Sequence, residues 1–214
     1  MSESELKLLA SSKKPCTYKK NQKIFEQGDV VSGIYCNSNG LVKVIQKDSS
    51  EKILFSRLAF PGDSVGYRSL FIEKNYKGTA TMVSDQGQGC FISHETVSQL
   101  FLQNPSFAKA LVKKISFELE RSVDEKIELK EKSTFARLCY LLINLFEEFS
   151  EETVDGHLSL KSDITKVEIA QILAVADETV IRHMSELKND KVIQQNGKRL
   201  TLINRKQLER LAQL

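Results

Sequence analysis

The sequence predicts an α+β chain with a β-rich N-terminal half, one long helix and a C-terminal winged helix-turn-helix. Three observations predict it. Short alternating segments from about Tyr18 to Ser93 are cut by turn signals. Apolar residues then recur every four positions from about Ser106 to Lys132 without a Gly or Pro. Finally, residues 164–203 join two short helical patterns to a hairpin. At 214 residues and 41% hydrophobic content the chain has room for one large domain or two modest ones.

In the N-terminal half, Gly33-Ile34-Tyr35-Cys36, Leu41 to Ile45, Lys52 to Phe55 and Gly89 to Ile92 alternate as half-buried strands do. Gln27-Gly28-Asp29, Ser38-Asn39-Gly40, Asp48-Ser49-Ser50 and Phe60-Pro61-Gly62-Asp63 separate them. Strands so evenly spaced predict a β-sandwich or barrel. Ser93 suits the N-cap of a short helix through Leu102, and Asn104-Pro105 marks a break with Pro at the first helical position.

The long helix carries Phe107, Leu111, Ile115, Leu119, Val123 and Ile127 on one stripe, widened by Val112 and Leu129. It spans roughly 40 Å at about 1.5 Å per residue, long for a small domain. Part of the stripe is expected to seat a second copy as a coiled-coil seam, and part to pack on its own β domain. Lys130 to Ser133 reads as a polar hinge, Phe135 to Phe149 as an apolar helix, and Glu147 to Gly156 as an acidic loop.

Residues 164–193 carry the strongest functional signal. Thr165 and Glu168 form a T-x-x-E capping box, and Val167, Ile169, Ala170, Ile172 and Leu173 supply an apolar face. Ala174-Val175-Ala176 is the turn. A second helix from about Asp177 to Lys188 buries Val180, Met184 and Leu187, leaving Asp177, Glu178, Ile181, Arg182 and Ser185 outside. The first residues of such a second helix meet base edges in the DNA major groove. A hairpin follows, its turn expected at Asn196-Gly197, with Lys198 and Arg199 as exposed cations. His157 to Leu160 is a candidate third strand, completing a wing that approaches the phosphate backbone.

Charge agrees in sign. The net charge is +3, and from Gly156 onward ten Lys and Arg stand against seven Asp and Glu, so the whole excess lies in the last quarter. Cys16, Cys36, Cys90 and Cys139 are scattered without zinc spacing, and the last three sit in apolar patterns as small buried hydrophobes. No apolar run approaches the ~20 residues of a membrane span, and Glu3, Glu5 and Lys7 around Leu6, Leu8 and Leu9 make no signal peptide. A reduced, cytoplasmic setting without membrane contact is expected. No nucleophile elbow, P-loop, metal spacing or paired carboxylates point to an enzyme.

The chain resembles the Crp/Fnr family of bacterial transcription regulators over nearly its whole length. The resemblance is carried by Phe25-Glu26-Gln27-Gly28-Asp29, by Ile34-Tyr35 through Gly40-Leu41-Val42-Lys43-Val44, and by Pro61-Gly62-Asp63-Ser64-Val65-Gly66-Tyr67-Arg68-Ser69-Leu70-Phe71, in that order before the helix-turn-helix. It implies a jelly-roll-like β-roll sensor over residues 1–104, a dimerisation helix over 105–132 and a winged helix-turn-helix over 133–214. It implies a homodimer on a palindromic promoter site in double-stranded DNA, with RNA polymerase as a further partner.

By the same resemblance, Glu178 and Arg182 match the pair that reads the half-site, and Thr165, Lys166 and Thr179 match phosphate contacts. Arg binds guanine bidentately and Glu accepts from cytosine. Two departures stand out. Asp177 puts a carboxylate toward phosphates, although it could cap the helix where Ala176 replaces the usual Ser, and Ile181 could touch a thymine methyl. The cyclic-AMP-binding members hold ribose with a Glu where Tyr67 stands, and phosphate with an Arg-Ser pair near Lys77-Gly78. Usual cyclic-nucleotide binding is therefore not expected. A single N-terminal cysteine, Cys16, cannot hold an iron-sulfur cluster, and no haem ligand set is visible. Tyr67, Arg68, Ser69, Tyr76 and Lys77 remain as a candidate pocket for an unknown small anionic effector, unless Arg68 merely pairs with an acidic neighbour. Asp177 also leaves open a nucleotide-responsive module that has lost specific DNA binding and acts through protein partners.

Overall fold

A computed structural model describes residues 12–72, 74–197 and 199–213. The N-terminal strands are β1 (Lys14–Lys19), β2 (Lys23–Phe25), β3 (Gly33–Asn39), β4 (Val42–Lys47), β5 (Ile53–Ala59), β6 (Ser64–Val65), β7 (Thr79–Met82) and β8 (Gln86–Ser93). A short helix, α1 (Tyr67–Leu70), lies between β6 and β7. They form two antiparallel sheets in the orders β1-β8-β3-β6 and β2-β7-β4-β5. Tyr35, Val42, Ala59, Val65, Ala80 and Met82 fill one buried cluster of this β-roll.

The first strand begins earlier than alternation alone indicates. Cys16 and Tyr18 pack against that cluster, while Lys14 and Lys19 stay exposed. Gly66 enters α1 at φ +92, where a Cβ would stand 3.0 Å from the Gly33 carbonyl oxygen. Only glycine meets both demands cheaply.

Helix α2 (His94–Gln103) starts at Ser93, whose Oγ accepts from the Thr96 amide at 3.3 Å. Helix α3 (Pro105–Glu131) starts at Pro105, with Asn104 Oδ1 accepting from the Phe107 amide at 2.9 Å. The stripe of α3 divides. Phe107 and Leu111 pack on the cluster of Val31, Ile34, Tyr67, Leu70, Tyr76, Ile92 and Val97. Val112, Ile115 and Leu119 are 54%, 41% and 67% exposed. The side chains of Val123, Ile127 and Leu129 lie outside the described residues.

The C-terminal part contains α4 (Thr134–Glu148), β9 (Ser150–Glu152), β10 (Leu158–Leu160), α5 (Lys166–Leu173), α6 (Asp177–Asn189), β11 (Ile193–Asn196), β12 (Arg199–Leu202) and α7 (Arg205–Leu211). Its sheet runs β11-β12-β10-β9. Three features differ from expectation. Part of the acidic loop is strand β9, because Ser150, Glu151 and Glu152 pair with β10 while the Glu151 and Glu152 side chains face solvent. The wing turn sits one residue later: Asn196 still pairs with Arg199 as the last rung of the ladder, and Gly197 follows it at φ +63. Helix α7 adds a lid anchored by buried Leu208 and capped by Asn204, which accepts from the Gln207 amide at 3.0 Å.

The two parts share one core. Leu138, Leu142, Leu145 and Phe146 of α4 pack with Ile169, Val180, Met184 and Leu187 of α5 and α6. Leu41, Leu58, Phe60 and Val83 of the β-roll belong to the same buried cluster.

Candidate nucleic-acid interface and effector pocket

The helix-turn-helix is built from α5 and α6. Thr165 Oγ1 accepts from the Glu168 amide at 3.1 Å, and Glu168 Oε2 accepts from the Thr165 amide at 2.8 Å, so the capping box is complete. Glu168 is buried, and Lys43 Nζ of the β-roll stands 3.8 Å from its carboxylate and donates to Gln171 at 3.0 Å. Burial pushes the Lys43 amine down, against the opposing pull of Glu168. Arg137 of α4 donates to the Leu173 carbonyl at 2.7 Å, capping an otherwise orphaned helix end. Ala174 turns the chain in the left-handed region at φ 52, ψ 48.

Val180, Met184 and Leu187 are buried, which fixes how α6 is rotated. Glu178, Ile181 and Arg182 are exposed on the opposite side, with Thr179 and Asp177 half-buried. Glu178 and Arg182 make no hydrogen bond or ion pair among the described residues. Ser185 Oγ turns back to the Ile181 carbonyl at 2.8 Å. Asp177 does not cap the helix: Ala176 is the N-cap and no side chain fills that role. His183 packs instead of facing outward, its ring 5.0 Å from Phe135 and its Nδ1 3.4 Å from Glu186. Thr165 and Lys166 stand at the start of α5. On the wing, exposed Arg199 bonds Glu151 of β9, a tether hidden from sequence because β9 itself was hidden. Lys198 lies outside the described residues.

The second candidate site is a cavity of about 220 Å³ in the β-roll. Tyr67, Arg68, Ser69, Tyr76 and Lys77 all line it, joined by Phe25, Val44 and Arg57, which the sequence alone does not assign to a pocket. Among the described residues that line it, three are cations and none is an acid. Phe25 stacks on Tyr76 at 4.0 Å, and the Tyr76 hydroxyl donates to the Gly33 carbonyl at 2.7 Å. Tyr76 is thereby a rigid wall. The Ser69 hydroxyl accepts from the Lys77 amide at 3.4 Å.

Arg68 does pair with an acidic neighbour, Glu118 of α3, at 2.9 Å. Arg57 bonds the same carboxylate at 3.1 Å and the Ser64 carbonyl at 2.9 Å. Lys114 bridges Asp63 at 3.4 Å and approaches Glu118 at 4.0 Å. Burial would raise the Glu118 carboxyl, but Arg57, Tyr67 and Arg68 outweigh it and hold it below the usual value. Burial, then Glu118, pushes the Tyr67 phenol up to about 12. The pocket's two arginines are thus tied to the long helix. The sequence leaves open an acidic partner for Arg68 but cannot place it on Glu118, which is 50 residues away along the chain.

Among the described residues, no group of three His, Cys, Asp or Glu side chains is placed to hold a metal ion. Cys139 is buried as expected, whereas Cys36 and Cys90 are partly exposed at the sheet. No described helix is long and apolar enough to cross a membrane.

A model of the cyclic nucleotide-binding domain matches residues 15–104, and a model of the Crp-like helix-turn-helix domain matches residues 136–211. The chain is 25% identical over 217 residues to the fumarate and nitrate reduction regulatory protein of Vibrio cholerae, covering 99% of this chain and 84% of that relative. It is 24% identical to the transcriptional activator Anr of Pseudomonas protegens, covering 91% and 78%. Its fold matches FixK2 of Bradyrhizobium japonicum with a TM-score of 0.79 at 19% identity, covering 93% and 96%. It matches the c-di-GMP-responsive regulator CLP of Xanthomonas campestris at 0.76 and 20%, covering 94% and 99%. With both domains present in this order, the chain belongs to the Crp/Fnr family of DNA-binding transcription regulators, and is not an enzyme.

Proposed function

We propose that the protein is a homodimeric, cytoplasmic regulator that reads a palindromic promoter site through α6 and contacts RNA polymerase there. The observation that carries the DNA site is the rotation of α6, which buries Val180, Met184 and Leu187 and presents Glu178, Ile181 and Arg182 together. Arg182 takes guanine, Glu178 takes cytosine, and Ile181 packs on a thymine methyl. Thr165, Lys166, Thr179, Lys198 and Arg199 hold phosphates. Exposed Val112, Ile115 and Leu119 supply the dimer seam, placing two α6 helices in major grooves roughly 34 Å apart.

The β-roll cavity takes a small anionic effector, with no cyclic nucleotide, iron-sulfur cluster or haem as resident cofactor. Its three cations and apolar walls support that reading. Tyr67 in place of an acidic ribose partner speaks against a cyclic nucleotide. An anion entering there competes with Glu118 for Arg57 and Arg68, and so bears on α3.

The test is selection of bound sites from random DNA, followed by mobility shifts. Arg182→Ala is expected to abolish sequence-specific binding while the dimer persists, and wild-type affinity should fall steeply with salt. Unchanged base preference in the variant would refute the assignment. Asp177 and Glu178 at the start of α6 favour a second reading, an interaction module without specific DNA binding. Failure of the wild type to enrich any sequence would support it.

A further inference from the structure

We propose that Cys36 and Cys90 form a reversible disulfide, a redox modification site on the β-roll face beneath α3. The two residues stand directly opposite each other on antiparallel β3 and β8. His94 donates to the Ser32 carbonyl at 2.8 Å, which makes Ser32 and His94 a hydrogen-bonded pair of this ladder. Such pairs alternate, so Ile34–Ile92 and Cys36–Cys90 are hydrogen-bonded pairs as well. The Asn37 amide points the other way, to Asp63 at 2.8 Å, as this alternation requires.

Opposed residues share a face of the sheet. Here it is the face of Ile34 and Ile92, against which Cys36 and the α3 residues Phe107 and Leu111 pack. Both thiols are free and partly exposed. Ser64 Oγ donates to Cys36 Sγ at 3.6 Å, and Cys90 is near enough to help burial raise the Cys36 thiol. The other two cysteines are placed elsewhere. Cys16 pairs with Gly89 and so faces the opposite side from Cys90, and Cys139 lies in the C-terminal core.

The register also says what kind of bond it would be. In a hydrogen-bonded pair the Cα atoms stand roughly 5.5 Å apart, within the window of roughly 4.4–6.8 Å that a disulfide spans. The Cβ atoms, however, stand roughly 5 Å apart against a usual ~3.8 Å. Closure therefore pulls β3 toward β8 by about an ångström. The register shift between Asn37 and Asn39, and Gly89 beside Cys90, let the ladder give at that point. Strained, partly exposed disulfides are readily reduced, which suits a switch rather than a structural staple.

The oxidant is hydrogen peroxide. One thiol is oxidised to a sulfenic acid, and peroxide leaves as water. The second thiol attacks that sulfur, the S–S bond forms and a second water leaves. Two electrons pass to peroxide, and the protein loses two hydrogens.

The test uses the full-length native protein treated with hydrogen peroxide, then denatured with N-ethylmaleimide, digested and analysed by mass spectrometry. The expected product joins the Cys36 and Cys90 peptides, is about 2 Da lighter than their sum, and disappears with dithiothreitol. Cys16 and Cys139 should remain alkylated, and a Cys16→Ser, Cys139→Ser variant should form the same bond. Alkylation of both Cys36 and Cys90, their oxidation only to sulfinic acid, or a bond mainly to Cys16 would overturn the proposal.

Discussion

Ala174, in the turn between α5 and α6, is a residue that the backbone uses against its nature. It sits in the left-handed region, which costs a non-glycine residue roughly 1–2 kcal/mol. Its side chain is exposed, so nothing is lost by removing the methyl. Ala174→Gly is expected to stabilise the protein by about 1 kcal/mol, after offsetting the extra chain entropy of glycine, and thermal unfolding should show the rise in Tm. A fall in Tm would mean that the turn is not under strain. At this scale the sequence was most readable where chemistry is local. The Thr165–Glu168 box needs only a spacing of three, and both of its hydrogen bonds are present. The outward set on α6 follows from three buried positions one turn apart. Residues whose partners are distant were illegible. Arg57 is a pocket residue only because its side chain reaches Tyr67 of α1 and Glu118 of α3, and Arg199 finds Glu151 only because β9 exists.

Helix α3 shows how one apolar stripe serves two purposes. A period of four residues could not say which part is covered, since Phe107 and Leu119 look alike in sequence. Burial separates them: the first two turns rest on the β-roll, while Val112, Ile115 and Leu119 stay open. Replacing Ile115 and Leu119 together by Glu should convert a dimer to a monomer in sedimentation and leave the β-roll folded, because neither side chain is buried in it. A persistent dimer would place the seam elsewhere. The same helix carries Glu118, whose carboxyl is held below the ordinary 4.5. A depressed folded value means the stabilisation is fully present above pH 4.5 and is lost as pH falls through the lower folded value. Glu118→Gln should lower stability near neutral pH by about 2 kcal/mol, a figure reduced because Arg68 is 44% exposed. It should also flatten the acid limb of the stability profile. An unchanged limb would show that the arginines do not depend on this carboxylate.

The division into sensor and DNA-binding parts reads well from motifs but hides their packing. Leu41, Leu58, Phe60 and Val83 belong to the β-roll by sequence, yet they are buried in the core that holds α4, α5 and α6. Ser56 bonds the Ile172 carbonyl at 2.5 Å, and Lys43 meets Glu168 and Gln171, so β4 and β5 form the floor of the first helix-turn-helix helix. No periodicity reveals this, because an inward residue of a strand looks the same whether it faces its own sheet or another domain. The consequence is energetic. Two parts that share a core are expected to unfold together rather than as beads on a string. Phe60→Ala, which removes a side chain only 8% exposed, should cost about 3 to 4 kcal/mol. Amide hydrogen exchange should then quicken in α4 and α5 as well as in β4 and β5, because the cavity opens at their common boundary. Faster exchange confined to the β-roll would mean that the contact is only apposition. Faster exchange in both would mean that a change in the sensor sheet reaches Thr165 and Lys166 through packed atoms, along the route by which α5 is held.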